Sequence, residues 1–210
     1  MLFLDDDVEL DPYYIDSMEA LFERHAEIVL AGGHAVLDRF EPLIVTRETA
    51  LRVLQERNGA TGWEDGTRWI RGHNMFVSTE IARMVGFDEK LPLYGLYEDS
   101  DFVVRCKHHG QAVRNLEARM VHLRVVSGRI NEVRLGYSQF ANAWYLVKKG
   151  VWATRVAWRV WATQLVSNLL KSCVARSEHL VDRRGRLRGN LSALSDLFRG
   201  RLDPENILTL

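Results

Sequence analysis

The chain has 210 residues, 47% apolar and 27% charged, which suits one core or one domain with an appendage and excludes a disordered or fibrous protein. Its 28 Lys/Arg balance 28 Asp/Glu, so net charge makes no case for a nucleic-acid partner. The distribution is uneven: residues 1–147 carry 16 basic against 23 acidic side chains and residues 148–201 carry 12 against 3, which suggests a cation-binding body and a C-terminal part that meets an anionic surface.

Cys106 and Cys173 give neither a disulfide framework nor a ligand spacing. The N-terminus turns acidic after four residues, unlike a secretory leader, so a cytoplasmic setting is expected. Leu2 to Leu4 read as the end of a buried strand. Asp11-Pro12 starts a helix to about His25, with Ile15, Met18, Leu21 and Phe22 on its inner face. Glu27 to Leu37 reads as a strand broken at Gly32-Gly33. A short helix from Arg47 to Glu56 follows, then a polar stretch, Asn58 to Thr67, before Trp69-Ile70. Asn74 to Val77 form a strand, Ser78 or Thr79 caps the next helix, and Gly86 ends it. Glu98 and Asp99 open a helix with Phe102, Val103 and Cys106 inside, closed by Gly110. Ala112 to Val126 gives two short strands carrying Val113, Leu116, Val121 and Leu123. Strands alternating with capped helices predict an α/β fold.

From Ile130 the pattern is helical. Val151 to Val174 holds three charges, with Arg155 and Arg159 one turn apart and Trp152, Trp158 and Trp161 around them. The arginines argue against a spanning helix, and two readings stand: an interfacial helix on an anionic membrane, or a buried bundle helix. The tail from Asp182 reads as a basic loop followed by a short helix.

The run Asp5-Asp6-Asp7, at the carboxyl end of the first strand, raises a question of charge. Residues i and i+2 of a strand share a side, so Asp5 and Asp7 converge while Asp6 points away. The run is either a solvated turn or an oxygen-ligand site for Mg²⁺ or Mn²⁺. Glu98-Asp99, at a helix N-terminus that favours the ionised form, supply either an ordinary cap or a base for an attacking hydroxyl. His122, in the apolar strand MVHL, is either a core histidine or a third metal ligand. Gly72-His73-Asn74 is either a plain turn or a place where a sugar approaches the backbone.

The order L-D-D-D, then GHNMFVSTEIARMVGFDEKLPLYGLYEDSDF, then a strand histidine, then basic helices, resembles the family 2 glycosyltransferases with the GT-A fold. The likeness runs from Leu2 to about Arg129, with a looser one beyond. It implies a partial GT-A domain over residues 1–129; for the basic helical region over residues 130–210, its own tryptophans and arginines suggest association with a membrane. By this resemblance Asp5 and Asp7 hold a divalent metal (Mn²⁺ or Mg²⁺) and through it the donor diphosphate, and His122 completes the metal shell. Asp99 is the catalytic base of an inverting displacement, and Glu98 binds the acceptor or orients the base. Asp6, Gly72, His73 and Asn74 are the implied substrate-binding residues. The implied partners are a nucleotide-sugar donor and a glycan or lipid-linked acceptor at the inner face of the cell membrane.

The family places β-α-β units that hold the nucleotide's base and ribose before the D-x-D strand, and this sequence lacks them. The expectation is therefore a transferase lacking its N-terminal nucleotide-binding portion, with three readings open: a fragment of a longer protein, a start assigned too late, or a lost donor pocket. Two rivals remain: a metal-dependent phosphotransferase or phosphohydrolase on the Asp5–Asp7 cluster, and a degenerate half acting as a non-catalytic membrane or partner-binding module.

Overall fold

The computed structural model describes residues 1–37, 45–56, 59–66, 70–123, 131–174 and 181–210. Trp69, the expected strand beyond Leu123 and the helical start at Ile130 lie outside them. The chain divides into two compact units, Met1–Phe87 with Phe102–Ser127, and Asp88–Asp101 with Gly128–Leu210. Residues 88–101, which the sequence pattern kept with the first domain, thus group with the C-terminal helices.

The first unit holds strands β1 (Leu2–Leu4), β2 (Val8–Leu10), β3 (Ile28–Ala35), β4 (Trp63–Asp65), β5 (Asn74–Val77) and β6 (Gln111–His122). Its helices are α1 (Tyr14–Arg24), α2 (Arg47–Gln55) and α3 (Thr79–Val85), and the later part of α4 (Glu98–Cys106) belongs to it too. The sheet runs β1-β5-β3-β6-β2, with β4 also on β6; β3 and β6 are parallel and the other pairings antiparallel. The apolar run of β3 is buried on both sides, as central strands of layered α/β proteins are. One face packs Tyr14, Met18 and Leu21 of α1 against Ile28, Ala31, Val113 and Met120. The other packs Val29, Met75 and Val77 against Ala82 of α3 and Phe102, Val103 and Cys106 of α4.

Arginines close two of the helices. Arg119 donates to the carbonyls of Val53 and Leu54 at the end of α2, each at 3.0 Å. Arg105 donates to those of Val85 and Gly86 at the end of α3, at 2.6 and 2.8 Å.

Several expectations are corrected. Gly32-Gly33 does not break β3, because Gly33 is held on both sides: its N–H donates to Asn74 Oδ1 and its carbonyl accepts from Asn74 Nδ2. The stretch from residue 111 to 122 is one strand with a bulge. Opposite Gly33 and His34 of β3 stand Asn115 and Arg119, so β6 carries extra residues there, and the Asn115 side chain accepts the Glu117 N–H at 3.0 Å. On α1, Tyr14 is buried while Ile15 is exposed.

The second unit is built on α5 (Glu132–Lys148), α6 (Thr154–Val174) and α7 (Arg183–Phe198), with a final 3₁₀ turn, Pro204–Thr209. The expected basic loop is therefore the first turns of α7, started by Asp182, whose side chain accepts the Gly185 N–H at 2.8 Å. Two glycines let α5 and α7 touch backbone to backbone: a Cβ on Gly189 would lie 2.0 Å from the Val133 carbonyl oxygen, and one on Gly136 2.1 Å from that of Arg186. Buried amides join all three helices, Asn168 Nδ2 donating to Asn190 Oδ1, Asn190 Nδ2 to the Gly136 carbonyl, and Gln139 Nε2 to Gln164 Oε1. The tryptophans do not act as one group. Trp161 is buried with its ring stacked 4.9 Å from Phe140, Trp152 donates its indole N–H to Ser100 Oγ, and Trp158 faces outward.

Candidate metal centre and acidic turn

Backbone register brings the first acidic run to a histidine. β1 ends at Leu4 and β2 begins at Val8, so four residues of rise link them, about 14 Å at full stretch. Yet β1 pairs with β5 while β2 pairs with the far end of β6. The bulged end of β6 therefore has to curl back towards the carboxyl end of β1. Val8 stands opposite His122, and the Leu123 N–H donates to the Asp7 carbonyl at 2.8 Å, which extends the ladder by one residue. This places His122 Nε2 3.1 Å from Asp7 Oδ1.

Asp5, Asp7 and His122 each offer a ligand atom, all within 4.8 Å of one another. Ligands about 2.1 Å from one ion lie at most about 4.2 Å apart, so a small rotamer change closes the set. Two carboxylates and one imidazole make a donor set suited to Mn²⁺ or Mg²⁺ with positions left for other oxygens. Partial burial raises the Asp5 carboxyl above its usual range; the charge of His122 opposes this, and those of Asp7 and Asp6 add to it.

The neighbouring residues predicted to bind substrate differ in what they offer. Asp6 is exposed in the turn between the two ligands. The His73 ring stacks on His122, with centroids 4.4 Å apart and planes 21° from parallel. Among the described residues, no atom lies within 4 Å of where a Cβ on Gly72 would stand. Asn74, by contrast, is committed inside the fold: it is 2% exposed, and its Oδ1 accepts from the Tyr14 hydroxyl as well as from Gly33.

Glu98 and Asp99 belong to the second unit, as the first turn of α4. The Asp99 carboxylate accepts the Ser100 N–H at 2.7 Å, and Glu98 lies over Gly95, where a Cβ would come within 2.1 Å of its Oε2. Tyr97, just before them, has φ 72°, a left-handed conformation that costs a tyrosine about 1–3 kcal/mol. Helix α5 and the residues after it hold that turn in place. Asn142 donates to the Leu96 carbonyl at 2.9 Å, the Trp152 ring packs 4.9 Å from Tyr97, and Lys149 binds both Asp88 and the fully buried Asp101.

The Asp88–Lys149–Asp101 group escaped the sequence reading. Asp88 lies in the F-D-E-K stretch, but its cation is 61 residues away. Burial would raise the Asp88 carboxyl, yet hydrogen bonds from Lys149, the Lys90 amide and Tyr145 outweigh it and hold the group below its usual range. Burial, with the Asp88 contact, pushes the Tyr145 phenol up to about 12. Burial likewise raises the Cys106 thiol to about 11, which makes it an inert core residue.

Comparison with protein-family models, curated proteins and solved structures finds no match to this chain.

Proposed function

We propose that the chain is a metal-assisted glycosyltransferase of the family 2 type, on a GT-A scaffold, moving a sugar from a nucleotide-sugar donor to a hydroxyl acceptor. The observation that carries this reading is the convergence of Asp5, Asp7 and His122 at the carboxyl end of β1, where open α/β sheets hold their ligands. A divalent cation held there would neutralise charge on a departing diphosphate. Asp5 and Asp7 supply its anionic ligands, and His122 a neutral one oriented by the β2–β6 register. The clearance over Gly72 among the described residues, beside the His73 ring, is consistent with a sugar lying against that turn.

The role of base falls to Asp99 on the order of motifs in the sequence, with Glu98 beside it. General-base assistance of this kind contributes typically ~10²–10⁴-fold. What the structure adds in support is a turn whose backbone is fixed from several sides, as a group that must meet an attacking hydroxyl requires.

The test is Mn²⁺ titration of the purified chain by calorimetry, with and without UDP. Micromolar binding strengthened by UDP is the expected result; no metal binding at all would return Asp5-Asp6-Asp7 to a solvated turn and remove the reading. Asp7→Asn should abolish the metal heat while Asp99→Asn leaves it unchanged, and equal metal affinity in both variants and wild type would refute the division of roles.

A further inference from the structure

Helix α6 turns a narrow face inward, through Ala157, Trp161 and Asn168. Opposite it, at spacings of four, seven and four residues, Arg155, Arg159, Val166 and Leu170 form one outward stripe. Leu170 is 61% exposed, Val166 54% and Leu169 beside them 49%; Trp158, next to the arginines, is 57% exposed. Among the described residues no carboxylate pairs with Arg155 or Arg159. The stripe is thus cationic and aromatic over its first turns and aliphatic over its last.

Helix α7 repeats the composition. Gly185, Gly189 and Ala193 face inward, while Leu191 and Phe198 stand out, the latter 86% exposed, on the side that also carries Arg184 and Arg188. No helix among the described residues is long and apolar enough to cross a membrane.

We propose that this outward face of α6 is an interfacial membrane surface that rests on anionic lipid. Arg155 and Arg159 meet the headgroup phosphates and carboxylates, Trp158 lies at the same level, and Val166, Leu169 and Leu170 dip into the acyl boundary. Because the charge sits at one end of the stripe and the aliphatic groups at the other, α6 lies obliquely, its C-terminal half deeper. A second copy of the chain is a poorer occupant. Trp158, Val166, Leu169 and Leu170 on one helix face fall well short of the roughly 800 Å² per partner of a standard interface, and the arginines beside them call for an anionic counterpart.

The experiment is co-sedimentation of the full chain with phosphatidylcholine vesicles, with and without phosphatidylserine, in metal-free buffer without any sugar donor. Its result therefore stands or falls separately from the transferase reading. The expected outcome is partitioning that requires phosphatidylserine and weakens as salt rises. In Arg155→Glu/Arg159→Glu it should weaken at least about tenfold, and Arg155→Lys/Arg159→Lys should restore it. Leu169→Gln/Leu170→Gln should also weaken it, with the far-UV spectrum unchanged in every variant. No binding by the wild-type chain to phosphatidylserine vesicles would overturn the proposal. So would charge-reversed protein that binds as wild type does, or a dimer in solution that Leu169→Gln/Leu170→Gln dissolves, which would assign the face to a second copy.

Discussion

At Asp5, partial burial favours the protonated carboxyl, His122 opposes it, and Asp7 and Asp6 reinforce it. An acid whose folded-state pKa is raised stabilises the fold below its unfolded pKa and loses that contribution as pH rises through the folded value. At neutral pH the metal-free protein therefore carries a small electrostatic penalty at this residue. Asp5→Asn should relieve it: the metal-free variant should melt slightly above wild type at pH 7, and the difference should shrink as the pH is lowered towards 4. The same variant should bind Mn²⁺ more weakly. A lower melting temperature in metal-free Asp5→Asn would show that the carboxylate is held by favourable partners rather than by crowding.

Lys149 at the end of α5 acts at the scale of elements, because it binds Asp88 and the fully buried Asp101 across the segment that carries Glu98 and Asp99. Lys149→Met leaves the Asp101 charge buried without its cation, and loss of one partner from a buried pair costs about 3–5 kcal/mol. Urea denaturation at pH 7 should show a loss near the lower figure, since Lys149 is partly solvated, and Asp101→Asn/Lys149→Met should recover part of it. Asp88, held below its usual range, contributes stability above its unfolded pKa and loses it as pH falls through its folded value. Wild-type stability should thus decline on the acid side below about pH 4, and Lys149→Met should flatten that part of the profile. None of this was legible in the sequence, because ion pairs over such separations leave no local pattern. Capping and periodicity did locate most elements: β5 spans Asn74–Val77 as expected, and α3 ends at Gly86. They failed where tertiary contacts override local signals. Gly32-Gly33 stayed in β3 because Asn74 pins it, and three-residue β2 was too short to show a period. That missed strand is what sets Asp7 beside His122, so the ligands were visible as residue types while their meeting was not. The basic segment read as a loop is helical because Asp182 caps its start at Gly185, and because Gly189, a poor helix former on its own, is where α7 meets the α5 backbone.

Across the whole molecule charge is sorted by unit: the first holds 13 Lys/Arg against 17 Asp/Glu and the second 15 against 11. Asp5, Asp7 and His122 lie in the acidic unit and the outward arginines of α6 and α7 in the basic one, so the proposed metal and lipid contacts fall on separate parts of the chain. A ligand that binds only the folded state stabilises it by RT ln(1 + [L]/Kd), about 2.7 kcal/mol at one hundred times Kd. Asp5 and Asp7 stay neighbours in the unfolded chain, but His122 lies 115 residues from Asp7 and joins them only on folding, so the complete candidate set exists in the folded state alone. For a protein of this size each kcal/mol moves the melting temperature by about 2–4 °C, so saturating Mn²⁺ should raise it by roughly 5–10 °C. The rise should grow with the logarithm of metal concentration, vanish with EDTA, and be absent in Asp7→Asn and in His122→Ala. Anionic vesicles should leave the Mn²⁺-dependent increment unchanged, since they engage α6 and α7 rather than Asp5, Asp7 or His122. An equal rise in wild type and Asp7→Asn would mean that manganese acts on scattered surface carboxylates, and the three-residue centre would lose its claim to be the metal site.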